Sequence, residues 1–105
     1  MALPIKKSNL DYYIYETDDF LKRVEEMLTF VKTETLVCDH RKLAYFKKSL
    51  FEIRTVLINS QMLLIKMKLG GSFCPNIAEE AISCIVKTDN DFQKLEINIW
   101  LYYYG

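Results

Sequence analysis

From residue 40 to residue 69 the chain repeats one apolar signal. Leu43, Phe46, Leu50, Ile53, Leu57, Leu64 and Met67 recur at steps of three and four, with Ser60 the one polar member of the series. Such spacing keeps them on one side of an α-helix. No Pro or Gly interrupts the run, Asp39 is a natural N-cap before it, and Gly70-Gly71 supplies a left-handed C-cap after it. The pattern predicts a long central helix, about 30 residues and about 45 Å at 1.5 Å per residue.

A weaker series precedes it. Leu10, Tyr13, Thr17, Leu21, Val24, Leu28 and Val31 predict a first helix over roughly 9–34, opened by a capping box at Ser8 to Asp11. Thr17-Asp18-Asp19 has the form of a second start and allows a break near residue 17. Residues 1–8 are expected to be a loose arm, and Thr33 to Asp39 a linker. After a turn at Ser72 to Pro75, Ala78, Ile82, Ile85 and Val86 give a helix over 76–87. Thr88-Asp89-Asn90-Asp91 reads as another capping box, opening a fourth helix with Phe92, Leu95, Ile99 and Tyr102 on one face. Leu95, Ile97, Ile99, Leu101 and Tyr103 also alternate at period two, as a strand does; helix is preferred because a lone strand has nothing to pair with. The expected fold is all-α: a small antiparallel bundle of three to four helices around the long central one, forming a single domain over 9–105.

The central helix is apolar on more than one side. At 100° per residue, Ile58, Met62, Ile65 and Leu69 share one stripe, while Leu57, Leu63, Leu64 and Met67 lie nearly opposite. Seams containing Gln61 and Lys68, and Asn59 and Lys66, separate the two. Burying one stripe contributes on the order of 6–10 kcal/mol before entropy costs, and leaving one in water exposes a patch typical of binding sites. Periodicity does not decide which stripe faces the core. Aromatic clusters add to the apolar surface: Tyr12-Tyr13-Ile14-Tyr15 near one end and Trp100-Leu101-Tyr102-Tyr103-Tyr104 at the other. Three consecutive tyrosines on a helix cannot all face one core, and Tyr and Trp are enriched in interfaces.

Composition narrows the class. At 105 residues with 50% hydrophobic and 27% charged residues, the chain is globular in character and large enough for one domain. The longest unbroken apolar run, IWLYYY, is too short to span a membrane. The opening MALPIKK lacks the apolar run of a secretion signal, and three cysteines make an odd count. Both suit an intracellular compartment: cytoplasm, or the nucleus of a eukaryote. Lys outnumbers Arg 11 to 3, and Ile and Tyr are abundant, as low-GC genomes favour; a bacterium, phage, large DNA virus or protist fits. Formal net charge is zero, but unevenly spread. Residues 1–39 carry 5 basic and 8 acidic side chains, 40–70 carry 7 and 1, and 71–105 carry 2 and 5.

Catalytic and metal chemistry lacks the residues it needs. Cys38-Asp39-His40 is tighter than structural zinc spacing, and Cys74 and Cys84 are ten apart. His40 is the one histidine, with no glycine-rich turn near it for a nucleophile to use. Asp18-Asp19, Glu25-Glu26 and Glu79-Glu80 are adjacent pairs, which diverge by about 100° on a helix and so do not face each other. No catalytic, cofactor-binding or metal-ligating residue is assigned, and no cofactor is expected. The expected function is a non-enzymatic protein–protein interaction module, self-associating as a homo-oligomer or docking on a larger partner. Ile58, Met62, Ile65, Leu69, Trp100, Tyr103 and Tyr104 are its candidate interface. A phage or viral inhibitor of a host factor and a subunit of a complex both fit. The alternative is nucleic-acid binding through Arg41, Lys42, Lys47, Lys48 and Arg54, against which stands a purely structural use of those charges on the flanking acidic helices.

Overall fold

Asp39 opens the central helix as its sequence predicts, its carboxylate accepting the backbone N–H groups of Arg41 at 3.1 Å and Lys42 at 3.4 Å. A computed structural model describes residues 6–33 and 39–105. Within them lie three helices: α1 (Leu10–Thr33), α2 (His40–Leu69) and α3 (Pro75–Tyr104), with a short 3-10 turn at Lys7–Asn9 leading into α1. Residues 1–5 of the expected arm and 34–38 of the expected linker lie outside the described residues.

Three details of the sequence reading change. Asn9, not Ser8, closes the turn ahead of α1, its side-chain carbonyl accepting the Lys6 N–H at 3.0 Å. Thr17 does not interrupt α1: its hydroxyl donates to the Tyr13 carbonyl one turn back, at 2.6 Å. Thr88 likewise donates to the Cys84 carbonyl at 2.7 Å and is buried, so it cannot cap a new helix. The expected third and fourth helices are therefore one continuous α3, and the bundle has three helices rather than four. Residues 95–103 are helical, and no strand occurs among the described residues.

α2 lies between its neighbours, packed antiparallel on both. Its buried residues are the predicted series, with Ser60 included. Cross-helix polar contacts pin the α1–α2 register in steps of seven: Asp11 pairs with Lys68, Asp18 accepts from Gln61 at 2.6 Å, and Glu25 meets Arg54 at 2.5 Å. Seven forward on α1 matches seven back on α2. Buried positions repeat at the same interval on every helix, as Leu10, Thr17, Val24 and Val31, as Leu43, Leu50, Leu57 and Leu64, and on α3 as Thr88 and Leu95 beside Phe92 and Ile99.

 That is the heptad arrangement of a coiled-coil bundle, in which apolar seams stay in contact along the whole helix.

The core has two apolar clusters. The larger gathers Phe20, Val24, Phe46, Leu50, Phe92 and Leu95 with their neighbours, and the smaller gathers Leu10, Leu64, Met67, Ala78, Ala81 and Ile82. Between them lie the buried polar residues Thr17, Ser60 and Thr88, one from each helix. The registers put all three at one level: Gln61, next to Ser60, bonds Ile14 and Asp18 on either side of Thr17, while Phe20 meets Phe92 just beyond Thr17 and Thr88. A hydroxyl layer therefore divides the core.

The α2–α3 connection is set by glycine. Gly70 stays right-handed and donates its N–H to the Lys66 carbonyl, while Gly71 takes the left-handed conformation at φ 77°. Pro75 then sits at the first position of α3, where no backbone donor is needed.

Candidate functional site: the interaction surfaces

The core uses one stripe of α2 and leaves the other outside. Leu57, Leu64 and Met67 are buried. Leu63, which the wheel groups with them, is 44% exposed because it points toward the flank of the core seam. On the other stripe Met62 is 48% and Leu69 77% exposed, while Ile58 and Ile65 are half-buried. Phe51, seven residues before Ile58, is also exposed and lengthens this stripe. Phe51 lies outside the stripe expected over 57–69, and its seven-residue interval from Ile58 is the sequence signal that marks it.

The C-terminal aromatics form a second, separate surface. Phe30 of α1 lies among Trp100, Tyr103 and Tyr104, with ring centroids 5.0, 4.8 and 6.3 Å away. Trp100 and Tyr104 stack at 5.4 Å. Tyr102 turns inward instead, meeting Phe46 edge-on and accepting the Asp39 N–H at 3.2 Å, which ties the start of α2 to the end of α3. Tyr103 is half-buried, and Trp100 and Tyr104 remain exposed. Phe30 escaped the sequence reading because no local pattern connects it to residues 70 positions away.

These two surfaces do not meet. Tyr102 contacts Phe46 near the beginning of α2, whereas Met62 and Leu69 occupy its end. At 1.5 Å per residue, Ile58 and Leu69 at the two ends of the stripe lie about 18 and 35 Å along α2 from Phe46, so the seven candidate residues are not one patch. The structure brings Trp100, Tyr103 and Tyr104 together, and separately Ile58, Met62, Ile65 and Leu69.

Charge separates the candidates for nucleic-acid contact in the same way. Arg54 is held by Glu25, and Lys47 is half-buried. Arg41, Lys42 and Lys48 remain exposed. Beyond the candidate set, Lys68 pairs with Asp11. Part of the basic charge of α2 therefore lies against acidic α1, the structural use weighed from the sequence. A third feature, not anticipated, is a groove of about 260 Å³ between α1 and α3, on the side away from α2. Tyr12, Ile82 and Val86 supply apolar lining, and Glu16, Asp19 and Asp89 line it with acid. Arg23, also in this groove, reaches Glu96 at 3.9 Å and lies 5.4 Å from the centre of the Phe92 ring.

The residues weighed for catalysis or metal binding are dispersed. His40 is exposed in the first turn of α2, Cys74 precedes Pro75 and Cys84 is exposed on α3; Cys38 lies outside the described residues. Among the described residues no group of three His, Cys, Asp or Glu side chains is placed to hold a metal ion. None of the described helices is long and apolar enough to cross a membrane. Compared with known proteins, the chain matches no family model, no curated protein and no solved structure.

Proposed function

We propose that this protein is a non-enzymatic protein–protein interaction module, which self-associates or docks on a larger partner. The observation that carries the reading is the outer stripe of α2, where Met62 and Leu69 remain exposed beside half-buried Ile58 and Ile65. An apolar helical face of this kind is what a partner helix or groove covers. The exposed rings of Trp100 and Tyr104 offer a second contact of the type enriched in binding surfaces. A viral or phage inhibitor and a subunit of a cellular assembly are both compatible with such a module.

The test contrasts the two sides of α2. Leu64→Glu places a carboxylate in the core and is expected to abolish the helical circular-dichroism signal. Ile58→Glu is expected to leave that signal intact while lowering the mass measured by light scattering at about 10 µM to 1 mM protein to that of the monomer. Unfolding of both variants would show that both stripes are structural, and the reading would fail.

A further inference from the structure

Two faces of this molecule carry opposite charge around apolar centres. On the outside of α2, Lys48, Thr55, Met62 and Leu69 follow one another at intervals of seven, all exposed, with exposed Lys66 beside Met62. Glu52 is the sole acidic residue between 40 and 70. The opposite side of the bundle is the α1–α3 groove, apolar at Tyr12, Ile82 and Val86 and bordered by Glu16, Asp19 and Asp89. Its one cation, Arg23, is already engaged by Glu96 and the Phe92 ring. The outer face of α2 thus carries lysines unpaired among the described residues and the groove carries carboxylates, while other charges are paired between α1 and α2.

Resting on the interaction reading above, we infer that copies of this chain associate head to tail, with the outer face of α2 from one copy seated in the α1–α3 groove of the next. Met62 and Leu69 enter between Tyr12 and Val86, and Lys66 meets Glu16 and Asp19. Charge complementarity selects this occupant. Pairing α2 with α2 about a two-fold axis sets lysine-bearing faces against each other, and pairing groove with groove opposes carboxylates. Only the cross pairing joins opposite charges while covering both apolar surfaces. The contact is heterologous, so each added copy presents a fresh face, and the assembly grows or closes as a ring.

Two variants at exposed positions separate the faces. Glu16→Lys/Asp19→Lys alters the groove, and Met62→Ser/Leu69→Ser alters the stripe without reversing its charge, so that the two altered faces do not attract each other. Circular dichroism confirms that each folds; Asp89→Lys and Leu69→Ser replace either one that does not. In sedimentation equilibrium the wild type is expected to exceed 12.4 kDa at concentrations where each variant alone remains at 12.4 kDa. Mixed in equal amounts, the two variants should form a 1:1 dimer and nothing larger, because the intact stripe of one fits the intact groove of the other. Wild-type association should also weaken several-fold as salt rises from about 0.05 to 0.5 M. If the groove variant still self-associates, the stripe variant does not and no mixed dimer forms, the contact is two-fold; head-to-tail assembly is then overturned while the interaction reading stands. A wild type that stays monomeric at about 1 mM in low salt overturns the inference and removes self-association from that reading.

Discussion

Gly71 shows how one backbone angle limits a residue choice. At φ 77° an L-residue with a Cβ is strained, although no atom lies within 4 Å of where that Cβ would stand. The cost of substitution is therefore conformational and not a collision. Gly71→Ala is expected to lower unfolding free energy by about 1–2 kcal/mol in urea titration, with the helical signal of the folded state unchanged. The same local physics explains Thr17 and Thr88. A buried hydroxyl without a partner is costly, and each of these finds one on its own helix at position i−4. In sequence a threonine followed by acids looks like an N-cap, since capping and back-bonding use the same oxygen. Burial decides between them.

At the scale of the element, α3 is the instructive case. Thr88-Asp89-Asn90-Asp91 contains four poor helix formers in succession, yet the helix passes through them. Phe92, Leu95 and Ile99 are buried on the same helix as Ala78, Ala81 and Ile82, so tertiary packing holds both halves in line. A continuous helix and a capping box respond oppositely to mutation here. Asn90→Ala/Asp91→Ala, at two exposed positions, is expected to raise stability by roughly 1 kcal/mol through better helix propensity. If Asp91 closed a capping box the same change would destabilise, so the sign of the shift in the urea midpoint distinguishes the two.

Across the whole molecule, charge is arranged between helices. The heptad series of Asp11 with Lys68, Asp18 with Gln61 and Glu25 with Arg54 continues, one interval further, to Lys32 opposite Lys47. Those two cations have like sign, and Lys32 lies instead over the Phe51 ring at 5.2 Å. Lys47→Glu extends the complementary series by one step and is expected to stabilise the fold by up to about 1 kcal/mol at low salt, with the gain shrinking as salt is added. Thermal unfolding at two salt concentrations measures it. A gain unaffected by salt would rule out the inter-helix pairing as its source.

The chain by itself determined the all-α class, the extent of α2, its Asp39 cap and the long seam from Leu43 to Met67, because seam and cap are local patterns repeated within one helix. It also marked Ile58, Met62, Ile65 and Leu69 as a second stripe, since the wheel needs no neighbour to be drawn. Tertiary structure decided which stripe is covered, because that depends on where α1 and α3 settle. It also joined Phe30 to Trp100, divided the C-terminal aromatics from the α2 stripe, and created the acidic groove between α1 and α3. Each of those depends on contacts between residues far apart in sequence, whose pairing is set by inter-helix register and not by local periodicity.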